Sequence, residues 1–165
     1  MITIISATNR KGSNTLKVSK AYQQIFEQLG SKASIFSLED FKSMYRDEMF
    51  MAMEKSILIP SQKFVFIMPE YNGSFPGIFK LMIDNSDITA CWNHKKVMLV
   101  GVANGRAGNL RGIDNMTNMC HYIKMEVMPN KLPISNISQE ISEEGFISES
   151  TRQMVEQQIE QFIKF

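Results

Sequence analysis

The sequence predicts an α/β fold in three layers: a five-stranded parallel sheet of order 2-1-3-4-5 with helices on both faces. Three observations predict it. Apolar runs of strand length alternate along the chain with stretches of helical periodicity, and five strands alternating with about five helices imply a parallel sheet covered on both sides. The central runs, Phe64-Val65-Phe66-Ile67-Met68 and Val97-Met98-Leu99-Val100-Gly101-Val102, are continuously apolar, as strands buried on both faces are. Loops rich in glycine, asparagine and proline follow the first, third and fourth strands. In a 2-1-3-4-5 order the loops after strands one and three lie beside each other, where open α/β sheets bind ligands.

In chain order, Ile2 to Ser6 is the first strand. Ser13 or Asn14 can cap the helix that follows, whose apolar positions Val18, Ala21, Tyr22, Ile25, Phe26 and Leu29 fall at helical spacing, and Gly30 ends it. Ala33 to Leu38 is a second, weaker strand. Phe41 to Ile59 reads as helical and is rich in methionine, with Met44, Met49, Met51 and Met53. After the third strand, Ile78 to Asp84 reads as a helix with Pro76 in its first turn. Val97 to Val102 is the fourth strand. Leu110, Ile113, Thr117 and Cys120 mark another helix, and Met125 to Met128 a fifth strand. Pro129 and Pro133 open a long polar connection, with the acidic Glu140 to Glu149 stretch a solvated part of it. A last helix near Ser150 to Phe165 carries Val155, Ile159, Phe162 and Ile163 on one side.

Composition narrows the function classes. The 165 residues form one domain, long enough for a full core without disulfides. Hydrophobic residues make up 44% and charged residues 21%, ordinary for a soluble globular protein. A net charge of +1 offers no electrostatic case for nucleic acid or an anionic membrane. No run is long enough to span a bilayer, the start is too short for a signal peptide, and two cysteines suit free thiols in a reducing compartment. The expected location is the cytoplasm.

The loops carry the chemistry. Ala7-Thr8-Asn9-Arg10-Lys11-Gly12-Ser13-Asn14-Thr15 runs directly into a helix N-terminus, so hydroxyls, free amides and the positive helix end form an anion site, with Arg10 adding a phosphate-matched fork. It has neither the three-glycine dinucleotide fingerprint nor a Gly-Lys-Ser/Thr ending, which argues for one phosphate. Pro69-Glu70-Tyr71-Asn72-Gly73-Ser74-Phe75-Pro76-Gly77 offers stiffened amides, a close approach at Gly73, the flat face of Tyr71 and the amide group of Asn72. That suits a flat heteroaromatic ring with polar edges. Ala103-Asn104-Gly105-Arg106-Ala107-Gly108-Asn109 again allows close backbone approach.

With these residues in view, the chain resembles the NAD(P)H-dependent FMN reductase family over nearly its whole length. The family's Arg-x-x-Ser is matched by Arg10 and Ser13, its Pro-Glu-Tyr-Asn-Gly-Ser-Phe-Pro-Gly by Pro69 to Gly77 without a gap, and its Gly-Arg-Ala-Gly by Gly105 to Gly108. The chain departs from it in having Ala7-Thr8 for Gly-Ser, and Phe79-Lys80-Leu81 for Leu-Lys-Asn. The resemblance implies a flavodoxin-like fold and an FMN-containing enzyme. It would pass hydride from NADPH or NADH to a small-molecule acceptor: a free flavin, quinone, azo compound or metal oxyanion. It also implies a homodimer or homotetramer. The implied cofactor-binding residues are Thr8, Arg10, Ser13, Asn14 and Thr15 in the first loop and Pro69, Glu70, Tyr71, Asn72 and Gly73 in the second. Ala103, Asn104, Gly105 and Asn109 complete the set from the third. No residue is expected to act as acid, base or metal ligand.

Other residues read as structural. Cys91-x-x-His94 and Cys120-His121 lack paired zinc spacing, and Trp92 reads as core or interface. The methionines from Met44 to Met53 read as packing against the sheet or a partner subunit, with a place over the flavin as the alternative. A flavodoxin-like electron carrier is the competing function class. Such carriers tend to be strongly acidic and to lack an arginine in the phosphate loop, whereas this chain is near neutral and has Arg10. A flavin-binding regulator without turnover is the third class.

Overall fold

The computed structural model describes residues 1–165, apart from the side chain of Asp40. Its strands are β1 (Ile2–Ser6), β2 (Ala33–Ser37), β3 (Lys63–Pro69), β4 (Lys96–Val102), β5 (Glu126–Val127) and β6 (Leu132–Ile134). All pair in parallel, in the order β2-β1-β3-β4, with β5 and β6 both on the free edge of β4. The expected 2-1-3-4-5 order is therefore present.

The fifth position differs from its expectation. It is one edge strand in two pieces, β5 opposite Lys96–Val97 and β6 opposite Val100–Val102. Pro129 has no N–H to donate, so the ladder stops near Met128 and restarts beyond it; Pro133 is tolerated in β6 because that strand is an edge. Part of the expected polar connection is thus sheet.

The helices are α1 (Asn14–Gln28), α2 (Glu48–Met53), α3 (Gly77–Asn85), α4 (Ile88–Cys91), α5 (Leu110–Tyr122), α6 (Ile137–Glu140) and α7 (Glu149–Lys164). Because strand side chains alternate between faces, β3 sends Phe64, Phe66 and Met68 to one core and Val65 and Ile67 to the other. Helices α2 to α5 cover the first core with Phe50, Phe79, Met82 and Met116, while α1 and α7 cover the second with Val18, Tyr22, Val155 and Phe162. Trp92 belongs to the first core, and its indole N–H donates to Ser86 Oγ at 2.6 Å. Pro76 stands at the cap of α3, one place before the helix.

The Phe41–Ile59 segment is only partly helical. Asp47 starts α2 by accepting from the Phe50 amide at 2.8 Å. The chain then widens into one π-turn, Glu54–Leu58. The buried carboxylate of Glu54 pins this segment: it pairs with Arg46 at 2.9 Å and accepts from the Asp87 amide at 2.6 Å. Below, Lys95 closes the turn by donating to the carbonyls of Leu58 and Ile59, the usual role for a cation at a helix C-terminus. Among the described residues, no helix is long and apolar enough to cross a membrane.

Candidate functional site

The loops after β1, β3 and β4 meet at the C-terminal ends of their strands around an open cavity of about 680 Å³. The first loop lines it from Arg10 to Thr15, the second from Pro69 to Gly73 and the third from Val102 to Gly105.

In the first loop Ser13 is the N-cap of α1 and accepts from the Leu16 amide at 3.2 Å. Among the described residues, the amides of Gly12, Ser13, Asn14 and Thr15 donate to no protein acceptor. Four free N–H groups before a helix N-terminus, beside the guanidinium of Arg10, form a cradle for an anion. Thr8 is placed differently from its expected role. It is fully buried behind the loop, where its hydroxyl shares a 2.7 Å hydrogen bond with that of Tyr71 and accepts from the Arg10 amide at 3.2 Å. It supports the cavity and does not line it.

The second loop contains a two-residue turn. Tyr71 and Ser74 exchange backbone hydrogen bonds of 2.8 and 3.2 Å across Asn72 (φ 53°) and Gly73 (φ 77°). Positive φ at both central residues is the type I′ geometry that Asn-Gly favours. The turn leaves the amides of Asn72 and Gly73 unbonded within the described protein. The Tyr71 ring points back at the first loop and carries the Arg10 guanidinium 5.1 Å from its centroid. Tyr71 therefore couples two loops, which its sequence position did not reveal.

The third loop folds tightly over the sheet. A Cβ on Gly101 would stand 2.3 Å from the Gly108 carbonyl oxygen, and one on Gly108 2.7 Å from the Ile134 amide nitrogen. Asn109, also expected to touch a cofactor, is fully buried and structural. Its side-chain amide donates to the Met68 carbonyl at 2.9 Å, and its oxygen accepts from the Gly112 amide at 3.1 Å. Asn104 does reach the cavity. Its Oδ1 accepts from both the amide and the hydroxyl of Ser138, at 3.0 and 2.7 Å, while Asn14 Nδ2 donates to Ser138 Oγ at 3.3 Å.

Ser138 thus bridges the first and third loops, and Ile137 beside it lines the cavity. Both lie on α6, inside the stretch that reads as a polar connection, and no local signal in the sequence marks them. The remaining expected residues come together: Arg10, Ser13, Asn14 and Thr15; all five from Pro69 to Gly73; and Ala103, Asn104 and Gly105. The methionines do not. Met44 and Met49 are exposed, and with Met53 they border a separate apolar groove that shares no lining residue with the cavity. Burial pushes the thiols of Cys91 and Cys120 up to about 12, so both are inert at neutral pH.

A family model described as NADPH-dependent FMN reductase matches residues 1–139. No curated protein matches the chain in sequence. Among solved structures it is similar to FerB, a flavoenzyme NAD(P)H:(acceptor) oxidoreductase from Paracoccus denitrificans, with a TM-score of 0.80 and 20% identity over 99% of this chain and 94% of that one. The apo form of the NADH:FMN oxidoreductase EMOB is similar with a TM-score of 0.77 and 14% identity, over 98% of this chain and 87% of that one. A flavodoxin from the domain Archaea has a TM-score of 0.68 and 14% identity, over 99% of this chain and 98% of that one. These likenesses show the fold.

Proposed function

The chain belongs to the NADPH-dependent FMN reductase family, and from that premise we propose that it oxidises NADPH or NADH with FMN held in the three-loop cavity and reduces a small-molecule acceptor. The observation that carries this reading is one cavity in which a four-amide anion cradle faces a turn with two further free amides. The donor set fits FMN. Arg10 and the amides from Gly12 to Thr15 would hold its phosphate, and the amides of Asn72 and Gly73 would meet the polar edges of its ring.

FMN, when bound, supplies hydride acceptance and release. The protein supplies position and electrostatics. Preorganised N–H donors at the ring's polar edge stabilise negative charge that gathers there without a cost of reorientation. Tyr71 and Thr8 brace the arginine, and Ser138 holds the phosphate loop against the third loop. The described residues form one phosphate cradle of this kind, at the start of α1, so in this reading donor and acceptor use the same open face in turn. Acceptors of this reading are free flavins, quinones, azo compounds or metal oxyanions. Assembly as a homodimer or homotetramer belongs to it too, with size-exclusion chromatography as its test.

The experiment is anaerobic addition of NADPH or NADH to FMN-loaded protein, followed by a quinone or free flavin. Bleaching of the yellow colour and its return, with parallel double-reciprocal lines when both substrates are varied, is the expected result. Intersecting lines with fast turnover would exclude the shared face. Failure of direct reduction would favour an electron carrier, whose fold this chain also shares.

A further inference from the structure

Asn104 is part of the cavity lining, and the start of α6 decides which polar atom of its side-chain amide a ligand can meet. Consecutive backbone amides of that helix hold the third loop. Ile137 donates to the Ala103 carbonyl at 3.1 Å, and Ser138 donates to Asn104 Oδ1 at 3.0 Å. A backbone N–H can only donate, so the Asn104 atom that faces Ser138 is the oxygen. The Ser138 hydroxyl donates to the same oxygen at 2.7 Å. Having given its hydrogen there, Ser138 Oγ accepts from Asn14 Nδ2 at 3.3 Å. The relay therefore has one direction, from Asn14 through Ser138 to Asn104.

Asn104 Oδ1 already accepts from both groups of Ser138, whereas its Nδ2 has no acceptor among the described residues. Asn104 is exposed and lines the cavity, so Nδ2 is the polar atom its side chain has left for a ligand. We propose that Asn104 is a specificity-determining residue, held by Ser138 as a donor-only group that selects a carbonyl oxygen or an unprotonated ring nitrogen on the third-loop side of the cavity. The pyrimidine edge of an oxidised flavin is such a ligand, because its carbonyl oxygens and unprotonated nitrogens outnumber its single N–H. A fixed donor at that edge also stabilises negative charge that builds up there. This inference rests on the reductase reading and adds to it the group that the third loop recognises.

The test measures FMN and riboflavin affinity by quenching of flavin fluorescence, and the midpoint potential of bound FMN, in the wild type, Asn104→Asp, Asn104→Ala and Ser138→Ala. Aspartate has the shape of asparagine: one oxygen can keep both bonds from Ser138, and the other puts an acceptor where Nδ2 stands. Asn104→Asp should weaken both flavins about tenfold or more, more than Asn104→Ala does, and move the potential to more negative values. Ser138→Ala should weaken riboflavin about two- to tenfold, and this effect should vanish in the Asn104→Ala background, because Ser138 acts through Asn104. A loss for FMN alone would mean that the added charge only repels the phosphate. An undiminished Ser138 effect beside Asn104→Ala would mean that Ser138 merely ties the loops together. Either result overturns the proposal. If the wild type binds neither flavin, the reductase reading fails and this selection with it. If it binds both and no Asn104 variant changes affinity or potential, only the selection fails.

Discussion

At position 10 one guanidinium sits over the Tyr71 ring while its own backbone amide is held by Thr8. Its orientation is therefore set before any anion arrives, which reduces the ordering cost of binding one. Substituting alanine should weaken FMN binding by about 1.5–3 kcal/mol, the size of one charge-assisted contact. Riboflavin, which lacks the phosphate, should bind nearly as before. Fluorescence titration with both flavins checks this, and equal losses would assign Arg10 another role. At the other extreme of burial, the Cys120 thiol is raised from 9.0 to about 12 by desolvation. As pH climbs above about 9, the unfolded chain loses that proton and the folded chain keeps it, so its stabilisation fades toward pH 12. The slope is up to about 1.4 kcal/mol per pH unit. Lys63 and Lys95, whose pKa values burial lowers, act in the opposite sense. The informative quantity is the stability difference between wild type and Cys120→Ala, which should shrink as urea unfolding is repeated from pH 8.5 to 10.5.

Single elements show how the frame of the site is built. The split of the fifth strand lets β6 support the third loop: the Ala103 amide donates to the Ile134 carbonyl at 3.1 Å, and Gly108 packs on the backbone of Pro133 and Ile134. Gly108 also has φ of 55°. Alanine there should cost about 1–2 kcal/mol from the left-handed backbone alone, and its Cβ would also push β6 and the loop apart. Gly108→Ala should therefore lower the urea midpoint and the FMN affinity together. Gly12→Ala, which has open space around its Cβ position, should incur only the backbone cost. A fall in stability with FMN affinity intact would show that β6 and the third loop tolerate the shift.

At the scale of the whole molecule, the cavity exists only when loops from residues 10–15, 69–73 and 102–105 and the helix at Ile137 are brought together. The unfolded chain has no such site, so a ligand of the cavity stabilises the folded state by mass action. At a hundredfold excess over its dissociation constant FMN should add about 2.7 kcal/mol, which for a domain of this size raises Tm by roughly 5–10 °C. Scanning calorimetry with FMN, riboflavin and no flavin measures this. Riboflavin should raise Tm less at the same concentration, and identical shifts would mean that the phosphate cradle contributes no affinity.

Alternation of apolar strands with helical stretches, two continuously apolar central strands and three glycine- and asparagine-rich loops were enough to determine the fold class, the strand order and the loops that meet. Those features are local, since strand burial, helix capping at Ser13 and the Asn72-Gly73 turn depend on residues adjacent in sequence. What only tertiary structure decided involves residues far apart in the chain. Thr8 is drawn inward because its hydroxyl finds Tyr71, 63 positions away. Asn109 is spent on the Met68 carbonyl. Ser138 reaches the cavity because β6 resumes the broken edge strand and delivers α6 between Asn14 and Asn104. A hydroxyl or an amide side chain is equally suited to a ligand, a cap or a neighbouring loop. Its sequence shows the capacity to hydrogen-bond, and only packing chooses the partner.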